Sequence, residues 1–250
     1  MDGRMEAPRR RRRVLLIRRN DERNVRYSAR LYDAEVAAVD EEVRLLFDEL
    51  RRRRFLDHAV TVLTADHGEE FMEHEGLGHA RALYEESVHV PLVVSTSALP
   101  AGRHIAADVS LVDVAPTVLE LLHLPPEPAF EGRSLVALGT HDDGPASDVV
   151  LEFEPIFTDT LDRRAHARGL VRGRQKLLLS PSGRAEAYDL STDPAEQKGE
   201  PPGPGSAAVA MADALAVTER RLAERAGRSA PVRPIDDALA QRLKALGYTR

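Results

Sequence analysis

Val60-Thr61-Val62-Leu63-Thr64-Ala65-Asp66-His67-Gly68-Glu69-Glu70-Phe71, continuing through Gly76-Leu77-Gly78-His79-Ala80-Arg81-Ala82-Leu83-Tyr84-Glu85-Glu86-Ser87-Val88-His89-Val90-Pro91-Leu92, sets an Asp-His pair where an apolar run ends. Ala59 to Thr64 is short and β-branched, which predicts a strand buried on both faces. Asp66 and His67 are the first polar residues after it. They emerge at the carboxyl edge of an open α/β sheet, where such sheets keep their chemistry, and Gly68 lets the backbone turn there. A carboxylate beside an imidazole is half of a metal site, and the same three residues also make an ordinary polar turn.

Outward from this point the pattern alternates. Upstream, Ser28 is a candidate N-cap for a helix with an apolar stripe at Val36, Val39, Val43, Leu46 and Leu50, closed by Arg51 to Arg54 where the helix macrodipole favours cations. Downstream, Leu83 to Val88 reads as a short helix leading to a second buried strand, Pro91 to Ser95. Asp113 is placed to start a helix through Leu122, with Pro116 in its first turn and Pro125-Pro126 beyond its end. Strand, helix, strand, helix is the α/β signature.

Beyond Gly139 the reading changes to strands at Val149 to Phe153 and Gly169 to Leu179, the latter folded at Arg172-Gly173-Arg174, then a Pro181-Ser182-Gly183 turn and Glu186 to Leu190. That predicts a small antiparallel sheet, in which Lys176 faces solvent and carries no catalytic role. A flexible Gly199 to Gly205 linker precedes a helix at Ala207 to Ala226, and Ala238 to Tyr248 reads as a last helix docking through Leu239, Leu243 and Leu246. There is no internal repeat.

These blocks, in this order, resemble the sulfatase family of the alkaline phosphatase superfamily. The match runs through Leu31-Tyr32-Asp33-Ala34-Glu35-Val36 and Val39-Asp40, Ser110-Leu111-Val112-Asp113-Val114-Ala115-Pro116-Thr117-Val118-Leu119, Gly132-Arg133-Ser134-Leu135, Val171-Arg172-Gly173-Arg174-Gln175-Lys176-Leu177, Ala187-Tyr188-Asp189-Leu190 and Asp193-Pro194-Ala195-Glu196. The resemblance covers roughly residues 28 to 250. It implies a partial alkaline-phosphatase-like α/β/α sandwich followed by a small antiparallel β-sheet subdomain with a C-terminal helix. Carried over residue by residue, Asp66 and His67 become metal ligands and His79 the group contacting the sulfate. His74 and His89 match no family position and read as a loop polar residue and a structural one. The cation implied is calcium or magnesium, and manganese or zinc would suit the imidazole better.

A complete sulfatase begins with metal-binding Asp residues and a Cys-x-Pro-x-Arg or Ser-x-Pro-x-Arg motif whose Cys or Ser becomes formylglycine, the nucleophile. This chain has no cysteine. Ser229-Ala230-Pro231-Val232-Arg233 fits the short pattern, but it follows the C-terminal subdomain and has no helix start after it, so it reads as coincidence. The expected organisation is a basic, disordered arm at 1–27, the C-terminal half of a sulfatase catalytic domain at 28–140, and the subdomain at 141–250. The expected function is that of a sulfatase-like, metal-dependent hydrolase of sulfate esters lacking its nucleophile half, with little activity alone and a partner chain as one source of that half. The alternatives are a phosphoesterase or phosphotransferase of the same superfamily and a non-catalytic scaffold.

Charge and length bound these readings. Residues 1–30 hold eleven Arg and four acidic residues, net +7, so the remainder carries −13 of the overall −6. A basic arm on an acidic body does not make a nucleic-acid-binding face. Val14-Leu15-Leu16-Ile17 is too short for a signal-peptide core or a membrane span. The 250 residues suffice for a core of their own, and without further strands beside it the Ala59 to Thr64 strand has an unpaired edge. Absence of cysteine excludes disulfides and leaves the compartment open.

Overall fold

A computed structural model describes residues 22–79, 82–140, 147–153 and 168–226. Most of the expected basic arm, the Ser229 to Arg233 string and the expected last helix lie outside these residues. Helix α1 spans Glu22–Arg52, about 46 Å at 1.5 Å per residue. It is already formed six residues before Ser28, which sits in its second turn rather than at its cap; Glu22 in the first turn, with Arg26 four residues on, favours the earlier start. Ion pairs Arg44–Glu41, Arg44–Asp48 and Arg52–Glu49 line its polar face. None of its residues is buried, and Val39 of the expected stripe is 61% exposed. Tyr32 meets Phe71 edge to face at 5.4 Å.

Next come β1 (Thr61–Thr64), the hairpin β2 (Glu70–Phe71) and β3 (Leu77–Gly78), the short helix α2 (Glu85–Val88) and β4 (Leu92–Ser95). β1 pairs antiparallel with β4, Thr61 opposite Ser95 and Thr64 opposite Leu92. The expected burial of both strands is not found: Leu63 and Val93, opposite each other across the pair, are exposed on one face of the two-stranded sheet, which no described element covers well enough to bury them. Among the described residues each of these strands has one neighbour only, so one edge of β1 is unpaired there.

A 3-10 turn at Leu111–Asp113 opens helix α3 (Val114–Leu121), and α4 follows at Val136–Thr140. Two of the sequence blocks lock together here. The buried Asp113 carboxylate accepts the Ser110 N–H at 3.0 Å and the Arg133 N–H at 2.8 Å, while Thr117 Oγ1 donates to the Asp113 carbonyl at 2.6 Å and accepts the Leu135 N–H at 2.9 Å. Gly132 is required by crowding, since a Cβ there would lie 2.1 Å from the Val112 carbonyl oxygen.

The second sheet is antiparallel throughout, in the order β5 (Val149–Glu152), β6 (Arg168–Arg172), β7 (Gln175–Leu179), β8 (Ala185–Asp189). Gly173 takes φ 58 in the two-residue turn between β6 and β7, as the hairpin reading requires. Leu83 and Tyr84, just ahead of α2, pack with Leu178, Tyr188 and Leu190 of this sheet in one cluster. The linker is less free than expected, because Glu200 exchanges two backbone hydrogen bonds with Ala187 on β8. Helix α5 spans Ala207–Ala226. The chain divides into two compact units, 1–212 and 213–250, with the boundary inside α5. No described helix is long and apolar enough to cross a membrane.

Candidate active site

The turn after β1 is built around backbone contacts. The His67 N–H donates to Asp66 Oδ1 at 3.1 Å, and His67 Nδ1 meets the Gly68 carbonyl at 2.8 Å. A carbonyl accepts only, so Nδ1 carries the proton and Nε2 is left with a lone pair; this assigns the tautomer from the contact. His67 Nε2 lies 3.8 Å from Asp66 Oδ1. Gly68 serves close approach rather than a left-handed turn: its N–H donates to the Ser87 carbonyl at 2.9 Å, and a Cβ would stand 1.9 Å from the Glu86 carbonyl oxygen.

The segment Gly76-Leu77-Gly78 is the return strand of a hairpin, and this brings His79 back to the start of the turn. Glu70 pairs with Gly78 and Phe71 with Leu77, and Gly78 adopts φ 96. The loop between the strands is held from inside by Glu70, whose buried carboxylate accepts the His74 N–H at 3.0 Å and the Gly76 N–H at 2.6 Å. Burial raises the Glu70 pKa against the pull of those two donors. As a result the His79 ring stacks on that of His67, with centroids 4.0 Å apart, and its Nδ1 lies 2.9 Å from Glu69 Oε2. Asp66, His67 and His79 line one open cavity of about 440 Å³, walled also by Leu92 and by Val150 and Phe153 at β5.

A buried polar network underlies this turn, and the sequence did not disclose it. Lys176, expected to face solvent, is 1% exposed. β7 is a central strand of its sheet, and Lys176 shares a face with Leu178, the face that packs on Tyr84. Its Nζ lies 2.9 Å from both Glu85 Oε1 and Glu196 Oε1. Glu196 also accepts the Glu85 N–H at 2.6 Å at the start of α2. His74 is likewise no plain loop residue: Nδ1 lies 2.6 Å from Glu86 Oε1, Nε2 lies 3.1 Å from the Glu196 carbonyl, and its ring stacks on Tyr84 at 3.5 Å. Burial lowers the His74 pKa, but Glu86 and the Glu196 carbonyl outweigh it and the net shift is upward. Burial pushes the Tyr84 phenol up to about 12. His89 is exposed, with Nδ1 3.0 Å from Glu85 Oε2. The one trace of this network in the sequence is the Glu85-Glu86 pair after Tyr84, whose partners His74, Lys176 and Glu196 lie far away along the chain.

Comparisons with known proteins agree with the geometry. The Sulfatase family model matches residues 9–124. Choline-sulfatase of Rhizobium meliloti (strain 1021) is 31% identical over 70% of this chain and 33% of its own length, and arylsulfatase K of Mus musculus is 29% identical over 71% and 32%. The chain thus spans about a third of the length of these curated relatives. Among solved structures, one determined in complex with its substrate D-glucosamine-2-N,6-O-disulfate superposes with a TM-score of 0.64 at 25% identity, covering 76% of this chain and 40% of that one. The phosphonate monoester hydrolase of Agrobacterium radiobacter superposes with a TM-score of 0.56 at 25% identity, covering 78% and 40%. The α/β fold with its small antiparallel sheet and following helix is the alkaline-phosphatase-like fold of these structures, and the chain belongs to the sulfatase family.

Proposed function

We propose that this chain is part of a metal-dependent hydrolase of sulfate esters, with Asp66 and His67 as cation ligands and His79 as the group contacting the sulfate. The observation that best supports this is the stacking of His79 on His67 in the wall of the cavity that also receives Asp66. The two ligands suit one divalent ion, because Asp66 Oδ1 and His67 Nε2 are 3.8 Å apart and Nε2 is the unprotonated nitrogen. Calcium or magnesium follows from the family, with manganese or zinc as softer choices; when bound, the ion stabilises negative charge on the sulfuryl oxygens.

His79, with Nδ1 held by Glu69, presents Nε2 to the ester. As an imidazolium it can donate a proton to the leaving oxygen, where charge accumulates as the S–O bond breaks. The hairpin fixes this ring relative to His67, so the charge-bearing groups are positioned before the ester arrives. The attacking group, formylglycine in the family, comes from sequence outside these 250 residues or from a partner chain. The exposed α1 stripe and the unpaired edge of β1 are the surfaces such a part would cover.

The reading is tested by combining the purified chain with the remaining part of the Rhizobium choline-sulfatase and following 4-nitrophenyl sulfate. Expected is metal-dependent turnover that falls about 100-fold or more with His79→Ala, and similarly with Asp66→Ala. Turnover indifferent to both substitutions overturns the assignment. The phosphonate monoester hydrolase neighbour supports a second reading, a phosphoryl or phosphonyl ester as substrate. A phosphonate ester turned over faster than the sulfate by the same mixture favours it.

A further inference from the structure

We infer that His67, Glu69 and His79 form a cation site of their own on this chain, suited to a borderline metal such as zinc and different in its donor set from the Asp66 and His67 pair. One donor atom from each of the three lies within 4.8 Å of the others. Two imidazoles and a carboxylate are the donors of zinc, cobalt, nickel and copper, whereas calcium and magnesium take oxygen. Three protein ligands leave a zinc ion one open position.

The arrangement is held by the fold. The His67 ring is oriented by the Gly68 carbonyl on Nδ1, the kind of outer contact that fixes a ligating histidine with Nε2 free. The β2–β3 hairpin returns His79 to within 2.9 Å of Glu69, ten residues earlier in the chain. A Glu69–His79 pair with half its histidine in solvent is screened by water and stabilises little by itself. It does not require a second imidazole stacked 4.0 Å away, a placement that takes part of each half-exposed ring out of water. A cation held in common by the three residues gives a reason for their side chains to converge.

Occupancy has a consequence for the cavity. A zinc-type ion here takes His67 from the hard-cation pair and His79 from the ester, so the two cations exclude each other. The site itself does not depend on the hydrolase reading, since its donors are in place whatever the substrate.

The test is calorimetric titration of the tag-free full chain with zinc chloride, with the visible spectrum of the cobalt(II) adduct as a second readout. One equivalent of zinc is expected to bind, with His79→Ala and Glu69→Gln each weakening it about 10-fold or more. Asp66→Ala is expected to change zinc affinity less than about 3-fold, and His58→Ala, an exposed histidine elsewhere, not at all. Far-UV circular dichroism checks each variant for folding, and Glu69→Gln, which keeps the side-chain volume, serves if His79→Ala misfolds. The inference is overturned if the native chain binds no zinc. It is equally overturned if zinc binding is lost with Asp66→Ala and indifferent to His79→Ala and Glu69→Gln.

Discussion

Lys176 is a buried cation whose stability depends on two carboxylates from distant parts of the chain, Glu85 and Glu196. Removing its charge leaves Glu196, itself 2% exposed, without a counter-ion. Lys176→Met is therefore expected to cost about 3–5 kcal/mol in urea unfolding, and adding Glu196→Gln to recover part of it. His74 supplies the pH response. It holds its proton more tightly folded than unfolded, so its contribution is complete below the ordinary histidine value of 6.5 and is lost as pH rises through its raised folded value. Around it stand Glu86, the Glu70 and Glu196 carboxylates, the Tyr84 ring and Gln197. Glu70 and Glu196, both raised chiefly by burial, act in the same sense at lower pH, and Asp148, lowered by its hydrogen bonds to Arg172, acts in the opposite one. The unfolding midpoint is expected to be higher at pH 6 than at pH 8, and His74→Gln to shrink that difference; an unchanged difference would remove His74 as its source.

At the scale of elements, the turn carrying Asp66 and His67 is seated on α2 through one glycine. Gly68→Ala places a methyl group against the Glu86 carbonyl, where backbone must move. A loss of about 1–3 kcal/mol is expected, together with loss of the His67–His79 contact, read from imidazole chemical shifts. Helix α3 is joined to the Gly132 to Leu135 segment by Thr117. Thr117→Val keeps the shape but strands the buried Leu135 N–H, for an expected cost of about 1–3 kcal/mol. A cost near zero in denaturant unfolding would show that another acceptor takes that N–H.

For the whole molecule, the exposed apolar stripe of α1 decides behaviour in solution. Val39 and Leu46 lie on a nearly continuous apolar groove with Ala38 and Val43. Val39→Glu with Leu46→Glu is expected to change stability within about 0.5 kcal/mol, while reducing self-association in sedimentation velocity. A loss of several kcal/mol would show that the stripe is buried in the isolated chain. In the hydrolase reading the same double variant is expected to lower turnover in the complementation mixture, the stripe being a surface proposed for contact there. Calcium binding by the chain alone is expected to be weak, because two protein ligands leave most of its coordination to water; tight calorimetric binding indifferent to Asp66→Ala would contradict this.

Local signals that need only neighbours in sequence were legible. The Val60 to His67 run set a strand ahead of an Asp-His turn, Ala207–Ala226 matches its helical reading, and Gly173 marked its hairpin because a left-handed φ suits glycine. The family blocks carried the α/β fold with them. What tertiary structure alone decided is where charges from separate segments meet. A lysine on a strand reads as solvated until the sheet order makes β7 central and α2 covers its face, and only then do Glu85 and Glu196 become its partners. Likewise the spacing of His67 and His79 in sequence does not bring their rings together; the β2–β3 pairing does, through a φ that only the folded hairpin specifies. Sequence patterns encode period and turn chemistry, whereas burial and charge pairing depend on which faces the fold brings into contact.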